Sequence, residues 1–197
     1  MLTGAEIRNA RHRGELVIEP FDQHLVCANS IAFRLGAELL SYPTGIELDP
    51  HRNPEADQTT IPPDGVVLTP GKLYLGSTAE TMGGLRYAAT LHACRSVSCL
   101  GLRIQLSAPL GHCGAVIPWT LELRATLPVR VYAGMTIGKL AFWPMQGTPA
   151  HYLGRYRDSR GPVRSLIAAC PPTSPVIPSA GSTPAYPTTD QREAAPL

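Results

Sequence analysis

Between residues 81 and 157 the chain carries one carboxylate, Glu122. It sits in VIPWTLELRA, an apolar strand pattern in which an unpaired charge is costly to bury, so the acid is either paired or put to use. Pairing would come from Arg124 or Arg86 on a half-exposed strand. Ahead of it lies a turn of small polar residues, CRSVSCLGL, and behind it VYAGMTIGKLAF. His112 and Cys113 stand side by side, but neighbours on a strand point to opposite faces, so they do not read as a nucleophile and its base. The five cysteines, at 27, 94, 99, 113 and 170, contain no CxxC pair. An odd number without such spacing reads as reduced thiols, Cys94 and Cys99 as buried small residues. Trp119 and Trp143 read as core or subunit contacts.

The elements that must position these residues are short. Residues 2–13 have the pattern of a helix: Thr3 is placed to cap it, Glu6 follows three residues on, and Ile7 and Ala10 give a small apolar face before Gly14. ELVIEPF, at 15–21, reads as a strand broken by Pro20, and SIAFRLGAELLSY, at 30–42, as a strand pattern with a turn at Gly36. Residues 43–63 are polar, punctuated by prolines and without a period of 2 or 3.6, which predicts a long loop. GVVLTPGKLYLGSTAETM has the form strand, Pro-Gly turn, strand, and suits a hairpin-like connection. LRYAATLHA, LGLRIQLSA, VIPWTLELRA and PVRVYAGMTIGKLAFWPM supply further strands. Turn residues every ten or so positions argue for an all-β barrel or sandwich.

Composition agrees and narrows the classes. Twenty prolines and eighteen glycines in 197 residues disfavour long helices. The formal net charge of +2, with 16% charged residues, lacks the basic field of a nucleic-acid binder, so no nucleic acid is expected as a partner. No window approaches the eighteen apolar residues of a membrane span, and residues 1–14 lack an apolar signal core. A soluble, cytoplasmic, non-secreted protein is expected. The chain divides into a folded domain at 1–167 and a tail at 168–197; the stretch 170–197 alone holds seven prolines. That tail is expected to be disordered or to drape over another protein.

Several pieces then resemble a known family in its own order: LTGAEI at 2–7, RLG at 34–36, LTPG at 68–71, RS at 95–96 with LGL at 100–102, TLEL at 120–123, AGMTIGKLAF at 133–142 and RYRDSRGP at 155–162. The set is similar to the dCTP deaminase branch of the dUTPase superfamily, over roughly residues 1–167. The resemblance implies a distorted β-barrel with a short N-terminal helix, assembled as a homotrimer with nucleotide sites between subunits. It implies hydrolytic deamination of dCTP, or a related deoxycytidine nucleotide, to dUTP and ammonia. Glu122 would be the general base, since water is a poor nucleophile and a carboxylate in an apolar pocket can have its pKa raised to a useful range. No cofactor would be tightly bound; Mg2+ would arrive with the triphosphate. A zinc deaminase would need an HxE and a CxxC, and this chain has neither.

By the same resemblance Ser96 would serve the catalytic site, and Arg95 and Ser96 would offer a charge, a hydroxyl and backbone N–H groups to phosphate. Ala108 follows the segment that reads the base. Arg155 and Tyr156 match a segment that folds over the triphosphate, with Tyr152 nearby. Three positions depart from the pattern: Cys99 replaces an arginine before LGL, His112 an aspartate, and Ala32 an aspartate before RLG. These departures define the alternative, a catalytically inactive trimer of the same fold that serves assembly or nucleotide sensing.

Overall fold

The computed structural model describes residues 1–169. Helix α1 spans Gly4–His12; Thr3 Oγ1 accepts the Glu6 N–H at 3.2 Å, as the capping pattern predicts, and Ile7 and Ala10 turn inward. Most of the remaining regular structure is strand. The strands are β1 (Leu16–Glu19), β2 (Ile31–Arg34), β3 (Glu38–Ser41), β4 (Asp57–Thr60), β5 (Val66–Leu68), β6 (Leu73–Gly84), β7 (Tyr87–Ala93), β8 (Leu102–Arg103), β9 (Leu110–Gly111), β10 (Ile117–Ala125), β11 (Val129–Val131) and β12 (Thr136–Pro144). A short helix, α2, spans Arg95–Cys99.

All pairings are antiparallel. One sheet runs β4-β3-β6-β10-β8, with β1 also on β6; a second runs β2-β12-β7-β9; β5 and β11 form a third. The hydrogen bonding among the described residues thus follows three sheets rather than one closed ring. The core lies between the two large sheets, where Phe33, Leu91, Leu140 and Phe142 of one meet Ile18, Met82, Leu121 and Leu123 of the other. Hydrophobic burial of this alternating set is what selects the all-β architecture.

The motif AGMTIGKLAF is explained by this packing. Gly134 has φ +77°, a left-handed turn conformation that favours glycine, and hands the chain into β12. A Cβ at Gly138 would run into the ring of Phe33, its partner across the β2–β12 pair, and into Ile104 Cδ1, so a side chain there would displace both from the core.

Four expectations need correction. The stretch 43–63 is not loop throughout: it contains β4, an edge strand with all four residues exposed, and so without the alternation that would mark it. The segment 65–82 is not a hairpin, because β5 pairs with β11 while β6 pairs with β1, β3 and β10. The Pro70-Gly71 turn, in which the Lys72 N–H meets Thr69 O, separates strands that then take different partners. The polar turn at 94–98 is a helical turn, held by the Ser98 N–H on Cys94 O and anchored by buried Val97. Cys94 is buried as expected, whereas Cys99 is exposed at the end of α2. No helix among the described residues is long and apolar enough to cross a membrane.

Candidate active site

Strand β10 carries Glu122, and its orientation is set upstream. Pro118 opposes Thr81 and Thr120 opposes Ser77, so residues 78–80 of β6 bulge opposite Trp119 alone. The Trp119 N–H donates to Thr78 Oγ1 at 2.9 Å, and that hydroxyl donates to Glu80 O at 2.6 Å, which keeps the bulge satisfied. Past it the strand is regular: Leu121, Leu123 and Ala125 are buried, and Thr120, Glu122 and Arg124 lie on the opposite face.

Glu122 is half-buried, neither immersed in the core nor free in solvent. Its N–H donates to Ile104 O at 2.9 Å, and Leu106 N–H donates to its Oε2 at 2.6 Å. The other oxygen, Oε1, accepts no hydrogen bond among the described residues. Neither predicted ion pair forms: Arg86 lies 3.6 Å from Glu15, and no arginine among the described residues is within 4.0 Å of Glu122. One oxygen is thus fixed by a charge-assisted bond, which aims the carboxylate, and one is left available to a water. Beside it, Gln105 Oε1 is buried and has no hydrogen-bond partner among the described residues.

The remaining sequence candidates fall into three places. Ala108 is exposed on the loop that Leu106 ties to Glu122. Arg95 and Ser96 are exposed at the start of α2; the chain then reaches Gly101, whose carbonyl accepts the Thr126 N–H at 2.9 Å. That puts them toward the far end of β10, and no described contact joins their side chains to Glu122. Tyr152, Arg155 and Tyr156 form one local unit. The Tyr156 N–H meets the Tyr152 hydroxyl at 3.4 Å, the Arg155 Nη1 donates to Leu166 O at 2.8 Å, and the Tyr156 hydroxyl accepts the Leu166 N–H at 3.1 Å. The same segment reaches the face of Glu122, where the Val163 N–H donates to Thr120 Oγ1 at 3.2 Å.

His112 and Cys113 do point apart. The exposed His112 ring stacks on Tyr152 with centroids 5.2 Å apart and planes 4° apart, while the Cys113 thiol is buried and donates to Leu85 O at 3.2 Å. Burial pushes the Cys113 thiol up from its ordinary pKa, and the Cys94 thiol likewise. Trp119 packs against the core with its Nε1 on Met82 O, whereas Trp143 is exposed with its Nε1 on Thr90 Oγ1. Among the described residues no three of His, Cys, Asp and Glu converge as a metal site would require.

Sequence reasoning missed one buried acid. Glu80 is 1% exposed; its Oε1 accepts from Arg34 Nε at 2.7 Å and its Oε2 from the Arg34 backbone N–H at 2.9 Å. Its signal was its own place in the strand pattern 73–84, two residues from buried Met82 and Thr78 and therefore on the inward face.

Comparison with known proteins adds to this geometry. A family model described as dCTP deaminase-like matches residues 1–145. Over 168 residues the chain is 35% identical to a protein of Hathewaya histolytica and to one of Cytophaga hutchinsonii, both named dCTP deaminase, dUMP-forming. Each match covers 85% of this chain and 96% of the relative. The crystal structure of a 2'-deoxycytidine 5'-triphosphate deaminase from Agrobacterium tumefaciens superposes with a TM-score of 0.56 at 19% identity, over 72% of this chain. The match spans about half of that structure, 46%, and at this identity it speaks for the fold.

Proposed function

The chain belongs to the dCTP deaminase-like family, and on that premise we propose that it removes the 4-amino group of dCTP by hydrolysis, with Glu122 as the general base. The observation that carries this reading is the state of that carboxylate among the described residues: half-buried, unpaired by any arginine, held at Oε2 by Leu106 N–H and free at Oε1. A water at Oε1 gives up its proton as it attacks C4 of the cytosine. The carbon becomes tetrahedral, the proton passes through the carboxyl group to the exocyclic nitrogen, and the C4–N bond breaks to release ammonia and leave a uracil. The backbone beside Ala108 reads the base, because the same loop carries the Leu106 N–H that aims Glu122. Arg95, Ser96, Arg155, Tyr156 and Tyr152 meet the sugar and phosphates, with Mg2+ arriving as part of the substrate.

The resemblance in the sequence implied dUTP as product, but the curated relatives carry names that end at dUMP. We therefore extend the reading by one step: a second water cleaves the α–β phosphoanhydride, so that dCTP and two waters give dUMP, ammonia and pyrophosphate. We further propose that the working form is a homotrimer. Glu122 and the exposed Arg95 and Ser96 are left apart in a single chain, as parts of a site completed by a neighbour would be. Exposed Leu100, Leu127 and Tyr132 supply apolar surface for that contact.

The test is purified protein with dCTP and Mg2+, with ammonia followed by a coupled assay, nucleotides separated by anion exchange, and light scattering on the same sample. Ammonia, dUMP and the mass of three chains are expected, with Glu122→Gln slowing ammonia release by roughly 10²–10⁴-fold. No ammonia from the wild type would remove the deaminase reading in favour of an inactive fold relative. Accumulation of dUTP would remove only the second step.

A further inference from the structure

Arg103 of β8 and Arg124 of β10 stand directly opposite each other across the antiparallel pair. Both are exposed, and neither makes an ion pair or a side-chain hydrogen bond among the described residues. Like charges in directly opposed positions destabilise a sheet, so the pair is a cost that needs a compensating anion. Among the described residues no acid lies within ion-pair distance of either arginine: Leu73 stands on the other side of Arg124, and Glu122, two residues along the same face, is farther than 4.0 Å from both. The two arginines line one open cleft of about 420 Å³, together with Gly71, Ala125 and Thr126. The wall at Gly71 is open: a Cβ there would meet nothing within 4 Å.

We propose that Arg103 and Arg124 form a binding site for a polyphosphate anion, either the phosphate chain of a nucleotide or free inorganic pyrophosphate. Two guanidinium forks side by side match an anion with several charged oxygens along a chain, which both can hold at once. A lone carboxylate would satisfy one fork and leave the other repelled. The cleft has the room for the longer anion, and neither arginine is held by an ion pair among the described residues. Arg124 also lies two residues from Glu122 on the same face, about 6.6 Å along the strand, so the site is within reach of a nucleotide held there. Sequence reasoning placed the phosphate contacts elsewhere, at Arg95, Ser96 and Arg155, and the pairing of Arg103 with Arg124 became visible only through the register. This inference does not require the deaminase reading.

Isothermal titration of the full chain with sodium pyrophosphate at low salt tests it. Binding is expected in the wild type, with Arg103→Ala and Arg124→Ala each weakening it about tenfold or more, and Arg8→Ala on α1 leaving it unchanged. Melting without ligand is the second readout: either substitution in the cleft should leave the melting temperature level or raise it, because repulsion is relieved. Absence of binding in the wild type, or an equal loss in Arg8→Ala, overturns the site. So does a clear fall in melting temperature without ligand, which would show the arginines held by acids of a second copy. Titration with dCTP already bound separates the sources: exclusion of pyrophosphate assigns the site to the nucleotide's phosphates, and simultaneous binding assigns it to the free anion. Ammonia release is measured separately, so failure of the deaminase reading would leave this result standing on its own.

Discussion

Replacing Glu80 tests how the two large sheets are joined. Arg34 belongs to β2 of the second sheet and Glu80 to β6 of the first, and the carboxylate takes two donors from Arg34, at 2.7 and 2.9 Å. Hydrogen bonds to a charged group contribute about 1.5–3 kcal/mol each, so deleting both is worth roughly 3–6 kcal/mol. Glu80 is 1% exposed but the Arg34 side chain is 31% exposed and can recover water, which pulls the Glu80→Ala cost toward about 3 kcal/mol. At about 2–4 °C per kcal/mol for a domain of this size, the melting temperature should fall by about 6–12 °C. Arg34→Ala should cost more despite its greater exposure, because it strands the buried carboxylate without a counter-charge. The assay is thermal and urea unfolding of both single variants and the double variant. A double variant less destabilised than Arg34→Ala alone is the expected signature of coupling. Losses under about 1 kcal/mol in both single variants would refute the argument, since exposed ion pairs contribute no more than that.

Two further predictions follow from the titratable groups. Glu15 is held below the usual carboxylate range, chiefly by hydrogen bonds from Arg13 at 2.8 and 3.1 Å and with help from the Tyr87 hydroxyl, against some opposition from burial. Its folded-state pKa is depressed, so its contribution is complete above the unfolded value of about 4.3 and is lost as pH falls through the folded one; melting curves from pH 6 to 3 should drop more steeply in the wild type than in Glu15→Gln. For the thiols, alkylation at neutral pH mapped by peptide mass should modify exposed Cys99 well before Cys94 and Cys113, whose burial disfavours the thiolate. Equal rates at all three would contradict their placement.

Local signals carried much of the fold into the sequence. Thr3, Glu6 and Gly14 bracket a helix because each acts within a few residues of its own position. Gly36 separates β2 from β3 for the same reason: a turn is a local event. What the sequence hid depends on partners far along the chain. β4 pairs along β3 at an exposed edge, where no face needs to be apolar, so no alternation was written into it. β5 and β6 flank a good turn, yet turn chemistry fixes where a chain bends and not which strand comes alongside. Within α2 itself, Arg95–Cys99, Val97 is the one buried residue, which is too little to mark a helical turn by period.

The candidate site divides along the same line. Glu122 was legible because an acid in an apolar strand conflicts with its surroundings, and conflict shows in one sequence. Its aiming partner was not, since the Leu106 N–H is a backbone group that any residue except proline would supply. The face on which Glu122 lies depends on the β6 bulge. Pattern alone gives parity along β10, but a slip of one residue between strands would bring the whole odd-numbered set outward and bury Glu122 instead. What prevents the slip is polar. Thr78 supplies an oxygen to the Trp119 N–H where Pro118 can supply no donor of its own, and Glu80, fixed by Arg34, holds residues 78–80 in the bulge. The outward carboxylate and the inward one are therefore connected: Glu80 contributes to stability by anchoring the register, and that register is what leaves Glu122 facing outward, with an oxygen to spare.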